Sequence, residues 1–288
     1  MHTKKLIVTA DDYGRDIAVN EAVESAHRDG LLSTASLMVT APAAGDAVAR
    51  SHKMPTLAVG LHLVLVDGIP ALPPEQIPDL VGPDGRFSLD PVGVGIKLFF
   101  LSSVKKQVEA ELRAQLDLFR ATGLALDHVN GHHHFHQHPT IVSMLIKLSA
   151  EYGIKAVRLP QEPFFASYRA QGDKCWRRLL GWVLAVPRFT RMRQRLRCAG
   201  IDTNDAMFGL HDSGDMRADR VLRFLDHLPD GVSELYFHPA LTRWQTDCFP
   251  EHYRCTDEYH ALIDPANRRL LDRGGIEITN FSQLRRPA

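Results

Sequence analysis

What this chain lacks narrows it first. Lys and Arg number 34 and Asp and Glu number 34, so there is no net charge and no global field that would favour nucleic acid. No window approaches the roughly 18 consecutive apolar residues of a membrane-spanning helix. The apolar run after Lys4 and Lys5 ends at Asp11-Asp12, too short for the hydrophobic region of a secretory signal. Cysteine is sparse. Cys175, Cys198, Cys248 and Cys255 have no C-x-x-C spacing, which argues against a disulfide framework and for reduced thiols in a cytoplasmic protein. There is no low-complexity tract, and no repeat with a period of about 20–50 residues that would point to a solenoid.

What is present is an alternation of strand and helix signals. Leu6-Ile-Val-Thr-Ala10 has the β-branched, apolar character of a buried parallel strand, and Asp16 is placed to cap a helix running to about His27. Residues 33–40 and 57–63 predict two further strands, with an Ala-rich helix over 42–52 between them. The Pro- and Gly-rich stretch from 66 to 100 predicts a long loop over one end of the fold. Ser103 is expected to cap an amphipathic helix, in which Val104, Val108, Leu112, Leu116 and Phe119 form one apolar stripe. Further strands are expected at 124–130, 154–159, 206–210, 232–238 and 276–279. The helices between them include one that starts at Pro139, one over 217–228 and one over about 258–272, while Pro187 is expected to split 174–197 into two. Seven or eight such units point to an α/β fold, an irregular (β/α) barrel of the TIM type. One domain is expected over 1–288, with insertions at about 66–100 and 160–205. A doubly wound open sheet is the competing architecture.

The reactive side chains favour the barrel, because they fall at the C-terminal ends of its strands, where barrel active sites form. Asp11 and Asp12 end the first strand, His62 the third, and His238 the seventh. The stretch after the fourth strand, Gly131-His-His-His-Phe-His-Gln-His138, is rich in imidazole, the commonest metal ligand. If it is extended, His132, His134 and His136 share one face. It is equally compatible with a solvated polar loop. The adjacent carboxylates of Asp11 and Asp12 point in different directions and can divide their roles, one on a metal and one as a base. One Asp with two His suffices to hold a catalytic divalent ion with positions left for water and substrate. His238 offers a general acid. Arg158 could hold an acidic partner or a substrate oxygen, and His211-Asp212 reads as an ordinary structural pair.

Four ordered motifs carry a resemblance: Ala10-Asp-Asp-Tyr-Gly14, Gly60-Leu-His-Leu63, Asn130-Gly-His-His-His-Phe-His136 and Phe237-His-Pro-Ala240. Together they resemble the YdjC/ChbG family of metal-dependent carbohydrate deacetylases over nearly the whole chain. Residues 62–68, 72–79 and 127–130 further resemble its hopanoid-biosynthesis-associated branch. The resemblance implies a deacetylase-like barrel with metal ligation by Asp12, His62 and His132, Asp11 as base and His238 as acid. His134, His136 and Arg158 are expected to bind substrate or support the ligands. The implied cofactor is one divalent ion, and the donor set accommodates zinc, magnesium, manganese or iron. The implied substrate is an N-acetylated amino sugar, either an N-acetylglucosaminyl hopanoid or a soluble chito-oligosaccharide. A different metal-dependent hydrolysis and a non-catalytic sugar or lipid carrier stay open. One departure stands out: Asn130-Gly131 occupies the place of the Asp-Ser usual in carbohydrate-specific relatives.

Segment 174–197 has no acidic residue, and its arginines surround Trp176, Trp182 and several leucines. It is compatible with a basic helix pair packed on the barrel, or with a peripheral contact at the inner membrane surface, where Arg attracts anionic headgroups and Trp enters the interface. An oligomer is compatible with the sequence.

Overall fold

A computed structural model describes residues 4–242 and 252–284. Its sheet is built on β1 (Lys4–Tyr13), buried from Leu6 onward. Six further parallel strands follow: β2 (Thr34–Leu37), β3 (Ala58–Leu63), β4 (Leu126–Gly131), β5 (Ala206–Phe208), β6 (Gly231–Phe237) and β7 (Ile276–Thr279). The order across the sheet is β4-β3-β2-β1-β6-β5. One edge of β1 pairs with β6 from Lys4 to Ala10; the other is shared, Lys4 to Ile7 with β7 and Thr9 onward with β2. The last strand is thus wedged into the base of the sheet.

Side chains alternate across β1, and the two faces have opposite chemistry. Leu6, Val8 and Ala10 join the main hydrophobic core under the helices, while Ile7 joins a small interior cluster with Ala156 and Phe281. Thr9 and Asp11 enter a polar network on the same concave side. The helices are α1 (Ile17–Asp29), α2 (Ala44–Ser51), α3 (Pro91–Phe100), α4 (Ser102–Ala121), α5 (Pro139–Tyr152), α6 (Phe164–Gln171), α7 (Cys175–Cys198), α8 (Ala218–Asp226), α9 (Cys255–Ile263) and α10 (Pro265–Gly274). Asp16 caps α1 by accepting from Ala18 N at 2.8 Å. The predicted stripe on α4 is buried at every position, and two polar residues are buried with it. Glu111 accepts from Ala71 N and Leu72 N, and Gln115 bonds both backbone groups of Val64. A loop with no ladder partner has its backbone satisfied by helix side chains.

The α/β class is as expected, and the sheet curls into a half-barrel. Its ladders do not close a ring of seven or eight units. Between β4 and β5 the predicted strand 154–159 makes only single bridges, Val129 to Val157 and Ala156 to Asp202. Asn204 substitutes for a ladder there, accepting from Leu159 N at 2.7 Å and donating to Leu159 O at 2.9 Å and Ala206 O at 3.0 Å.

Four local expectations are corrected. The stretch 66–100 is not all loop, since α3 forms with Asp90 capping it and Pro91 in its first turn. Helix α4 starts at Ser102 after Leu101, so Ser103 is not its cap. Pro187 does not divide 174–197, because α7 runs through it. Position 187 is exposed, so water can satisfy the carbonyl that proline leaves without its helical partner. The closing helix over 258–272 is two helices, broken at Asp264-Pro265, where Asp264 caps the second. Replacing a fully buried member of the α4 stripe, as in Leu112→Ala, is expected to cost about 2–5 kcal/mol, read from urea unfolding.

Candidate metal centre

The strand ends assemble a pocket of about 310 Å³ that includes Asp11, Asp12, His62, His132, His134, Tyr236 and His238. In a regular strand, consecutive residues face opposite sides. Asp12 breaks that alternation with a left-handed backbone, φ 61°, so that both carboxylates line the pocket. Their partners differ, Arg158 for Asp11 and Arg15 for Asp12. Such a conformation costs about 1–3 kcal/mol in a non-glycine residue and persists where the surroundings enforce it. Here Arg15 fixes the carboxylate, its Nη1 donating to Asp12 Oδ2 at 3.0 Å.

The other oxygen is different. Asp12 Oδ1 is buried without a hydrogen-bond partner, yet His62 Nε2 lies 3.3 Å away and His132 Nδ1 3.2 Å away. Both distances are short, but neither contact has hydrogen-bond geometry. Donor atoms of Asp12, His62 and His132 all fall within 4.8 Å of one another. Ligands bound at about 2.0–2.2 Å to one ion stand roughly 3–3.5 Å apart, so the three buried groups fit a shared divalent cation.

Asn130 decides which nitrogen His62 presents. It sits opposite His62 in the β3–β4 register. Its amide donates to Asp11 Oδ1 at 3.1 Å and Ser36 Oγ at 2.8 Å, leaving Oδ1 to accept from His62 Nδ1 at 2.7 Å. His62 Nε2 then carries the lone pair facing Asp12. The chain continues inward. Ser36 bonds His128 Nε2 at 3.0 Å, and His128 Nδ1 bonds Asp127 Oδ2 at 2.9 Å. Asp127 Oδ1 accepts from Ser282 N, while Phe281 stacks on His128 at 4.5 Å. Gly60 makes room for this ring, since a β-carbon there would lie 2.4 Å from His128.

Asp11 is held by Arg158, fully buried at the end of the 154–158 segment. Its Nη1 and Nη2 reach the two Asp11 oxygens at 2.5 and 2.9 Å, and Glu234 Oε1 takes its Nε and Nη2 at 3.0 and 2.8 Å. Burial alone would raise the Asp11 pKa, but the Arg158 charge overrides it and holds the carboxyl far below the usual range. His238 is pushed down to about 4 by burial, against the opposing pull of Asp12 and Asp11, so it is neutral at pH 7.

The histidine-rich stretch is not extended. His132–Gln137 is a 3-10 turn in which His133 and His134 have φ of 52° and 53°, so His132, His134 and His136 do not share a strand face. His132 enters the metal cluster and His134 lines the pocket beside Tyr236. His136 instead points into the fold, its Nε2 on the Arg158 carbonyl at 3.0 Å. Asp212 belongs to a buried ionic cluster with Arg178 and Lys174, outside the pocket lining. Sequence reasoning did not single out Arg15, Asp67 or Glu234, and it noted Asn130 only as a departure from the relatives' motif. Glu234 had a readable signal, a charge inside an apolar strand, which demands a buried partner. Asp67 pairs with His133 at 3.2 Å on a loop whose placement depends on Glu111 and Gln115.

Similarity to carbohydrate deacetylases over nearly its whole length makes this chain a hydrolytic enzyme of the deacetylase type. The chain belongs to the family of YdjC-like proteins, whose profile matches residues 5–273. It is 42% identical over 156 residues to a carbohydrate deacetylase of Brevibacillus brevis, a match covering 54% of this chain and 59% of that protein. It is 30% identical to a carbohydrate deacetylase of Mus musculus over 97% of this chain and 94% of that one. The crystal structure of a candidate cellobiose-phosphate cleavage protein from Enterococcus faecalis shares the fold, with a TM-score of 0.74 at 23% identity, covering 99% of this chain and 100% of that one.

Two outcomes test the electrostatics. Arg158→Met strands two buried carboxylates, and the expected loss is about 3–5 kcal/mol in urea unfolding. His136 is pushed down to about 3 by burial, against the opposing pull of its Arg158 backbone bond. It is neutral when folded and charged when unfolded between that value and about 6.5, so its contribution to stability is present above pH 6.5 and is lost as pH falls. His136→Phe should lower proton uptake on unfolding by about one in that window, measured as the slope of unfolding free energy against pH.

Proposed function

We propose that the protein is a metal-dependent N-deacetylase that releases acetate from an N-acetylated amino sugar. The observation that carries this is the convergence of the unbonded Asp12 Oδ1 with His62 and His132, beside a second carboxylate and a third imidazole. A divalent cation held by Asp12, His62 and His132 supplies Lewis acidity towards an acyl oxygen and acidifies water. Asp11, its basicity reduced by Arg158, takes the proton of the attacking water, and Asn130 and Arg158 keep its oxygens in place. His238 is neutral before substrate enters. It takes up a solvent proton as negative charge develops and hands it to the leaving nitrogen, without which an amine is a poor leaving group, and Asp11 returns the water's proton to solvent as acetate departs. His134 and Tyr236 line the wall that the sugar would meet.

The finer reading of the substrate is an N-acetylglucosaminyl hopanoid, supported by the motif resemblance in 62–68, 72–79 and 127–130. A soluble chito-oligosaccharide is the second reading, supported by relatives named as carbohydrate deacetylases. Mass spectrometry after incubation with each class separates them: loss of one acetyl group is expected from the true substrate, and none with chelator present. Acetate release from neither would leave the carrier reading. His132→Ala is expected to abolish turnover, and His238→Ala to lower it about 10²–10⁴-fold. Wild-type rates in His132→Ala would rule the proposal out.

A further inference from the structure

Helices α3 and α7 leave an unusual amount of apolar surface in water. On α3, Val92, Ile96 and Phe99 are exposed, and Phe100 is 79% exposed. On α7, Trp176, Leu180 and Leu184 are exposed and recur every four residues, so they share one face. The next step on that face is Arg188, which lines a cleft of about 650 Å³ whose other wall is Ile96, Phe99 and Phe100 of α3. Arg188 thus brings the end of the exposed α7 face to the cleft that α3 lines, and His133 belongs both to this cleft and to the candidate metal pocket. An exposed apolar surface of this kind on a water-soluble fold marks an interaction site.

The exposed charge along the two helices is positive apart from Asp90 at the α3 N-terminus, whose carboxylate accepts from Val92 N and Gly93 N. Arg177, Arg191, Lys97 and Lys106 are exposed and have no ion-pair partner among the described residues. The acids near α7 are already engaged, Asp212 and Glu162 by Arg178 and Asp205 by Arg193. Two copies meeting face to face through this surface would bring like charges together, which disfavours self-association. Exposed Trp, Phe and Leu bordered by unpaired cations suit an anionic bilayer, where rings and aliphatic chains enter the headgroup region and the cations meet phosphates. The face is also rigidly placed relative to the pocket. Arg178 bonds Glu162 and Asp212, and Glu162 accepts from the backbone N–H of Leu210, a pocket residue.

We propose that the α3–α7 face docks on an anionic membrane surface, with the catalytic pocket opening beside the contact. This is independent of the chemistry at the metal centre. The test is flotation of the full chain with vesicles of phosphatidylcholine alone or mixed with phosphatidylglycerol. Binding to the anionic vesicles is expected to exceed binding to the neutral ones by about tenfold or more and to fall with salt. Leu184→Glu and Phe100→Glu are each expected to reduce it about tenfold with unchanged thermal unfolding. Arg177→Gln with Arg191→Gln should weaken only the anionic binding. No flotation, equal binding to both vesicles, or full binding by the glutamate variants would overturn the proposal. So would a concentration-dependent dimer in sedimentation velocity that the same variants abolish, which would assign the face to a second copy.

Discussion

The buried pairing of Arg158 with Asp11 and Glu234 is the constraint on which the rest depends. A guanidinium with no exposure must be neutralised and hydrogen-bonded or the fold pays a large desolvation cost. Two carboxylates from adjacent strands, β1 and β6, do this, and Thr9 also donates to Glu234 Oε1 at 2.7 Å. The consequence reaches outward. With Arg158 committed to Asp11, that carboxylate stays ionised, and Asp12, turned by its left-handed backbone, is left to face the two imidazoles. The two neighbouring acids are differentiated by their partners.

A polar interior on the concave side explains why the half-barrel can tolerate an irregular seam. Across most of the sheet, backbone ladders fix the strands, but between β4 and β5 the Asn204 amide and single bridges suffice. Side chains also anchor the loop that carries Asp67. The metal pocket is thus framed by ladder-fixed strands on one side, β1, β3, β4 and β6, and by side-chain-tethered segments on the other.

Much of this was legible in the sequence, for identifiable reasons. Strands buried on both faces show as continuous apolar runs, and the residues that end them, Asp11, Asp12, His62 and His238, lie where side chains reach one pocket. What was missed depends on backbone conformation or on partners distant in sequence. Periodicity gives no sign that His133 and His134 adopt left-handed angles, so the alternation of imidazoles looked like a strand. Helix α3 contains two glycines and β-branched residues, which obscured the Asp90-Pro91 start signal. Asn130 looked like a departure from a motif, and only its contacts reveal that one neutral amide orients both Asp11 and His62.

The wedge of β7 and the turn behind it have a consequence for how the protein can be handled. Ser282 and Phe281 hold Asp127 and His128, and through Ser36 and Asn130 that hold extends to His62. The tail is therefore the far anchor of a ligand-orienting chain, even though it lies at the opposite end of the strands from the reaction. Shortening the protein before residue 281 for expression or crystallisation would free the imidazole ring at the other end, so a truncated form that still folds would hold His62 less firmly.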